Sequence, residues 1–69
     1  MQRGNTKKEI LHRLSYCLGH VHGIENMVKE GRDCSDVLIQ ISAVDSALKK
    51  IKAILLQEYI GVLFAAIGG

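Results

Sequence analysis

Residues 31–50, GRDCSDVLIQISAVDSALKK, decide the fold. Gly31 is a turn residue, and Asp33 and Ser35 are both helix-capping types. From Val37 onward apolar residues recur at Ile41, Val44 and Leu48, then at Ile51 and Leu55, in steps of four and three. That spacing is a helix with heptad character. Asp36 falls in its first turn, where negative charge suits the helix dipole. Leu38, Ala43, Ala47, Ile54 and Leu56 widen the stripe beyond what one partner helix covers, which implies further helices packed on it.

The same spacing appears upstream, at Ile10, Leu14, Cys17, Val21, Ile24 and Val28. Asn5 or Thr6 can cap this first helix, with Glu9 completing a capping box after Thr6, and Gly31 sits where a C-terminal cap is expected. Gly19 and Gly23 lie inside it at up to ~1 kcal/mol each against alanine, which suggests a close helix approach. Gly61 interrupts the second stripe, so VLFAAI (62–67) reads as a short third helix or as an apolar tail docked on a neighbouring copy. There is no proline, and nothing reads as a strand. The pattern predicts one all-α domain over residues 1–69, an antiparallel helical hairpin with a short third helix, two hairpins making a four-helix bundle.

Size forces the pairing of hairpins. A chain of 69 residues is marginal as a lone unit, and small scaffolds gain stability from disulfides, a metal or oligomerisation. Two cysteines give no disulfide framework, whereas 48% hydrophobic residues with only three aromatics point to burial against other copies. Residues 1–9 are polar and charged, and the apolar run IGVLFAAIGG (60–69) is shorter than a bilayer span. The expectation is a cytoplasmic, reduced setting with free thiols and no membrane partner. The net charge of +2 is distributed unevenly. Residues 1–22 carry +3 and residues 46–69 carry +2, flanking a middle of −3. A chain folded back at its middle brings the basic segments together, a modest footprint for a polyanion. Solvated helix faces account for the same charges equally well. No Ser/His/Asp set, carboxylate pair or phosphate-cradling loop stands at useful spacing, so an enzyme is not expected.

Three elements together resemble the copper-sensitive operon repressor family (CsoR/RcnR-like). They are Arg13-Leu14, then GHVHGI over residues 19–24, then CSDVLIQISAV over residues 34–44. The likeness runs over about residues 10–58, and the stretch from Asp36 to Leu48 is its specific part. It implies a homotetrameric, dimer-of-dimers, metal- or thiol-responsive repressor that lays a basic face on operator DNA and releases it when an inducer reacts at a cysteine between protomers. Arg13 and Lys50 match basic DNA-contacting positions of the family, with Lys8 and Lys49 adding charge. Cys34 matches the inducer cysteine. The chemistry suits its place, because a helix N-terminus favours negative charge and the thiolate is both nucleophile and metal ligand. A small residue buried near a cap is the bland alternative.

The same resemblance marks departures. In copper-sensing members a His and a Cys of the other protomer, 25 and 29 residues after the first cysteine, complete the site; here those positions hold Tyr59 and Leu63. Leucine cannot bind a metal, and neutral tyrosine is a poor ligand for a soft ion. A copper or nickel ion through Cys34 is therefore the one cofactor raised, with its usual partners replaced. Ser15 and Leu18 stand where basic residues are usual. Cys17 and His20 are three apart and share a helix side, with His22 turned away and Cys17 in the core stripe, so packing explains Cys17 better than ligation. His12 and His20 are expected on the polar face, and His20 matches a family position that is His or Gln, which implies a hydrogen-bonding role. The alternative to a repressor is a helical oligomerisation module of the same fold that has lost metal sensing and, at the extreme, DNA binding.

Overall fold

The structure is a computed structural model and describes residues 4–68. Two helices account for nearly all of them: α1, Gly4–Lys29, and α2, Cys34–Gly68. There is no strand among the described residues. At 1.5 Å per residue the helices run about 39 and 52 Å, and the hairpin measures 56 × 19 × 11 Å.

The turn between them is set by Gly31, the one described residue with positive φ, at 73°. The Arg32 amide donates to the Met27 carbonyl at 3.0 Å and the Gly31 amide to the Val28 carbonyl at 3.1 Å. This pair of bonds is a Schellman motif, which satisfies carbonyls that the helix end leaves free and reverses the chain. The carbonyl of Asp33 then accepts from the Val37 amide at 3.1 Å, which makes Asp33 the capping position of α2 and Cys34 its first helical residue. At the other end α1 is already helical at Gly4, so Asn5 and Thr6 lie inside its first turn and do not precede it.

The heptad stripes divide in two. On α1, Ile10 and Cys17 are buried and Ile24 half-buried, while Leu14, Val21 and Val28 are exposed. On α2, Val44 and Ile51 are buried and Val37 half-buried, while Ile41, Leu48 and Leu55 are exposed. Each set keeps a seven-residue period. One half of each stripe closes the hairpin around Ile10, Cys17 and Ile51, with Ala47 and Ile54 packed against them; the other half is left at the surface. A compact 7.6 kDa protein exposes about 4,300 Å², and this chain exposes 5580 Å², roughly 1,300 Å² more. Its radius of gyration is 16.4 Å, against about 11 Å for a compact chain of this length.

Three expectations are corrected here. Gly61 does not end α2, which continues unbroken to Gly68, so there is no third helix among the described residues. One glycine costs a long helix about 1 kcal/mol, too little to break it. Gly19 and Gly23 mark no close approach within the hairpin, since a Cβ at either would meet nothing of this chain within 4 Å. Finally, joining residues 34–68 into one helix gives an 18-residue window of mean hydropathy 1.6, long and apolar enough by length and composition to cross a membrane; a helix covered by other helices has the same character. Facing positions of the two helices have numbers adding to about 60, as His20 and Gln40 show, so α2 beyond about Leu56 runs past Gly4, the first described residue of α1. That extension carries Tyr59, Ile60, Val62, Leu63, Phe64 and Ile67, all exposed.

Replacing Gly31 by alanine places a Cβ in the left-handed region and is expected to cost about 1–2 kcal/mol. At matched protein concentration its urea midpoint should fall below that of the parent chain. An unchanged midpoint would contradict the turn geometry.

Candidate inducer site and basic flank

Cys34 opens α2 and is exposed. Its surroundings are Val28 and Arg32 from the end of α1 and the turn, and Val37 and Leu38 from the next turn of α2, around a shallow groove of about 360 Å³. Three aliphatic side chains and a guanidinium offer no donor to a soft metal ion. Among the described residues no three His, Cys, Asp or Glu side chains gather as a metal site. A copper or nickel ion therefore does not fit Cys34 within one chain. Tyr59 and Leu63 lie on the same straight helix, 25 and 29 residues on, which puts them about 38 and 44 Å from Cys34 along its axis. These positions can approach the thiol only from another copy.

Cys17 is buried in the small core with Ile10 and Ile51, where packing accounts for it. His20 is half-buried rather than on the polar face, and it makes a hydrogen bond as the resemblance implies, with Nε2 2.7 Å from Oε1 of Gln40; the carboxamide oxygen accepts, so Nε2 donates. Its ring meets that of Tyr16 edge-on, centroids 6.2 Å apart. His22 lies 3.4 Å from Glu25 on the surface. The sequence signal for the His20 contact was available in the matching heptad phase of positions 20 and 40, but it needs the hairpin register to be known first.

The four basic residues separate into two groups. Arg13 lines a concavity of about 400 Å³ with Glu9, His12, Tyr16 and Ala47. Lys50 comes one turn after Ala47, so it belongs to the same flank of the hairpin. Lys8 is five residues from Arg13, roughly 140° around α1, and Lys49 is turned away from Lys50 by about 100°. By helix phase Arg13 and Lys50 fall on one flank of the hairpin, with His12 beside Arg13, and Lys8 and Lys49 fall on other sides. Arg13 is also bound by Glu9, Nη2 to Oε2 at 3.0 Å, and Lys49 by Asp45 at 3.3 Å. Both pairs are exposed and within one helix, where such pairs contribute about 0.3–0.5 kcal/mol and yield readily to a better anion.

Burial separates the two thiols. In native protein iodoacetamide is expected to modify Cys34 and spare Cys17 until urea unfolds the chain, as read by peptide mass spectrometry. Equal native labelling of both would contradict the packing of α1 on α2.

The chain matches the metal-sensitive transcriptional repressor family model over residues 6–65. It is 45% identical over 53 residues to the copper-sensing transcriptional repressor CsoR of Bacillus subtilis, covering 77% of this chain and 52% of the relative. It is 48% identical over 48 residues to the copper-sensing repressor RicR of Mycobacterium tuberculosis, covering 70% and 50%. To the CsoR of Mycobacterium ulcerans it is 35% identical over 60 residues, covering 87% and 51%. The chain thus spans about half the length of the curated relatives it matches. No solved structure matches it. By the residues matched, this all-helical chain belongs to the metal-sensitive transcriptional repressor family, a family of regulators and not of enzymes.

Proposed function

We propose that this chain is the self-associating, DNA-binding core of a cytoplasmic repressor that receives its inducer at Cys34. What supports the DNA reading is that Arg13 and Lys50, on different helices, fall by helix phase on one flank of the hairpin. A second copy covers the exposed halves of the heptad stripes, Leu14, Val21 and Val28 with Ile41, Leu48 and Leu55, giving a four-helix bundle. The surplus surface of roughly 1,300 Å² exceeds the approximately 800 Å² that each partner gives to a standard interface, and leaves area for a dimer of dimers. Two copies double the Arg13–Lys50 flank into a longer cationic strip facing the phosphate backbone. Association of copies is also what would bring Tyr59 and Leu63 toward Cys34, and their side chains supply no soft-metal donor. Metal or thiol chemistry at this position therefore rests on Cys34, and copper sensing in the manner named for the relatives is not carried over to it.

Two observations favour the second reading, an oligomerisation module that does not hold DNA. Arg13 is engaged by Glu9, and Leu18, exposed on α1, stands where a basic residue is usual. Electrophoretic mobility shifts across ionic strength separate the two. For a repressor the logarithm of affinity falls linearly with that of salt, by about 0.9 per phosphate neutralised. Arg13→Ala and Lys50→Ala should each weaken binding and lower that slope by about one. Full affinity in both variants would contradict the Arg13–Lys50 flank as the DNA contact, and no DNA binding even at low salt would leave the oligomerisation module as the better description.

A further inference from the structure

The hydrogen bond between His20 and Gln40 is the side-chain bond that crosses from α1 to α2 among those formed by the described residues; Arg13–Glu9, His22–Glu25 and Lys49–Asp45 all stay within one helix. The rest of the hairpin contact is a small aliphatic core. Apolar burial is non-directional, so it holds two helices together more firmly than it fixes their rotation and sliding. A short, directional bond does what that core cannot. It also sits in an open place: Ser15, Tyr16, Gly19, His20 and Gln40 line a concavity of about 470 Å³. Water can reach both partners, so the bond can be exchanged for solvent without leaving a buried polar group unpaired. It therefore has two accessible states, made and broken, which is what a switching element needs.

Its position joins the two ends of the proposed function. Gln40 lies less than two helical turns after Cys34 on the same helix. His20 contacts Tyr16 edge-on, and Tyr16 shares its second concavity with His12 and Arg13. A change of rotation or translation at the Cys34 end of α2 moves Gln40 as part of one rigid helix, and His20 transmits that movement to the flank that carries Arg13. We propose that His20 and Gln40 couple the thiol end of α2 to the polyanion-binding flank of α1, with His20 acting as a positioning residue through Tyr16 and not as a DNA contact. This rests on the repressor reading above.

The test uses the full chain, a fluorescent mixed-sequence DNA duplex at low salt, and carbamidomethylation of Cys34 by iodoacetamide as the perturbation, with Cys17 checked by mass to be unmodified. Wild type, His20→Ala, Gln40→Ala, the double variant and the conservative His20→Gln are compared, each first shown by circular dichroism to retain its helix. Modification is expected to change wild-type affinity by about fivefold or more, the lower range of allosteric coupling. The change should shrink to less than about twofold in both alanine variants and in the double variant, with no further loss on combining them. His20→Gln, which can still donate to the Gln40 carbonyl, should restore it. Equal responses in all five proteins, or no response in wild type, would overturn the proposal while leaving DNA binding in place. Failure of unmodified wild type to bind the duplex would remove the repressor reading and this coupling with it.

Discussion

Two antiparallel helices can offer each other one seam, and here each helix carries apolar residues enough for two. The geometry of the heptad enforces the division. Residues seven apart return to almost the same side of a helix; the position three on shares the seam, as Ala47 and Ile54 do, while the position four on is turned toward the neighbouring side. Ile10, Cys17, Val44 and Ile51 can therefore be covered within the hairpin only by leaving Leu14, Val21, Ile41 and Leu48 uncovered beside them. A core of this size supplies little against the conformational entropy of ordering the chain. In the association proposed above, the remaining stabilisation comes from surface that a single copy cannot bury.

That constraint also organises the chemistry. A straight helix from Cys34 to Gly68 keeps its thiol and its apolar far end tens of ångströms apart, so any site built from both ends is a property of an assembly. The short turn at Gly31 matters for the same reason: it fixes the helix register that sets Arg13 and Lys50 on one flank and pairs His20 with Gln40. Functional geometry on this scaffold is a matter of which helix side a residue occupies, more than of its nearest sequence neighbours.

Much of this was legible in the residues. The four-and-three spacing marked both helices, and the glycine after Glu30 marked the turn, because periodicity and left-handed backbone preference are local properties. Gly61 misled because helix breaking depends on the cost of one residue against the gain of a long helix, a sum that local reading does not make. The split of the stripes was invisible for a different reason: a single-letter pattern marks Leu14 and Cys17 as equally apolar, and only the rotation of α1 against α2 decides which is covered. The separation of Arg13 and Lys50 from Lys8 and Lys49 follows from that same rotation. Family resemblance named Cys34 and the basic residues; it did not reveal that Glu9 and Asp45 hold two of them.

Sedimentation equilibrium on the purified chain, loaded over a wide concentration range and paired with circular dichroism, tests the central requirement most directly. Helical protein should sediment at a multiple of 7.6 kDa, with helix content and assembly lost together on dilution. A cooperatively folded, fully helical species that stays at 7.6 kDa across the range would contradict the account at its base.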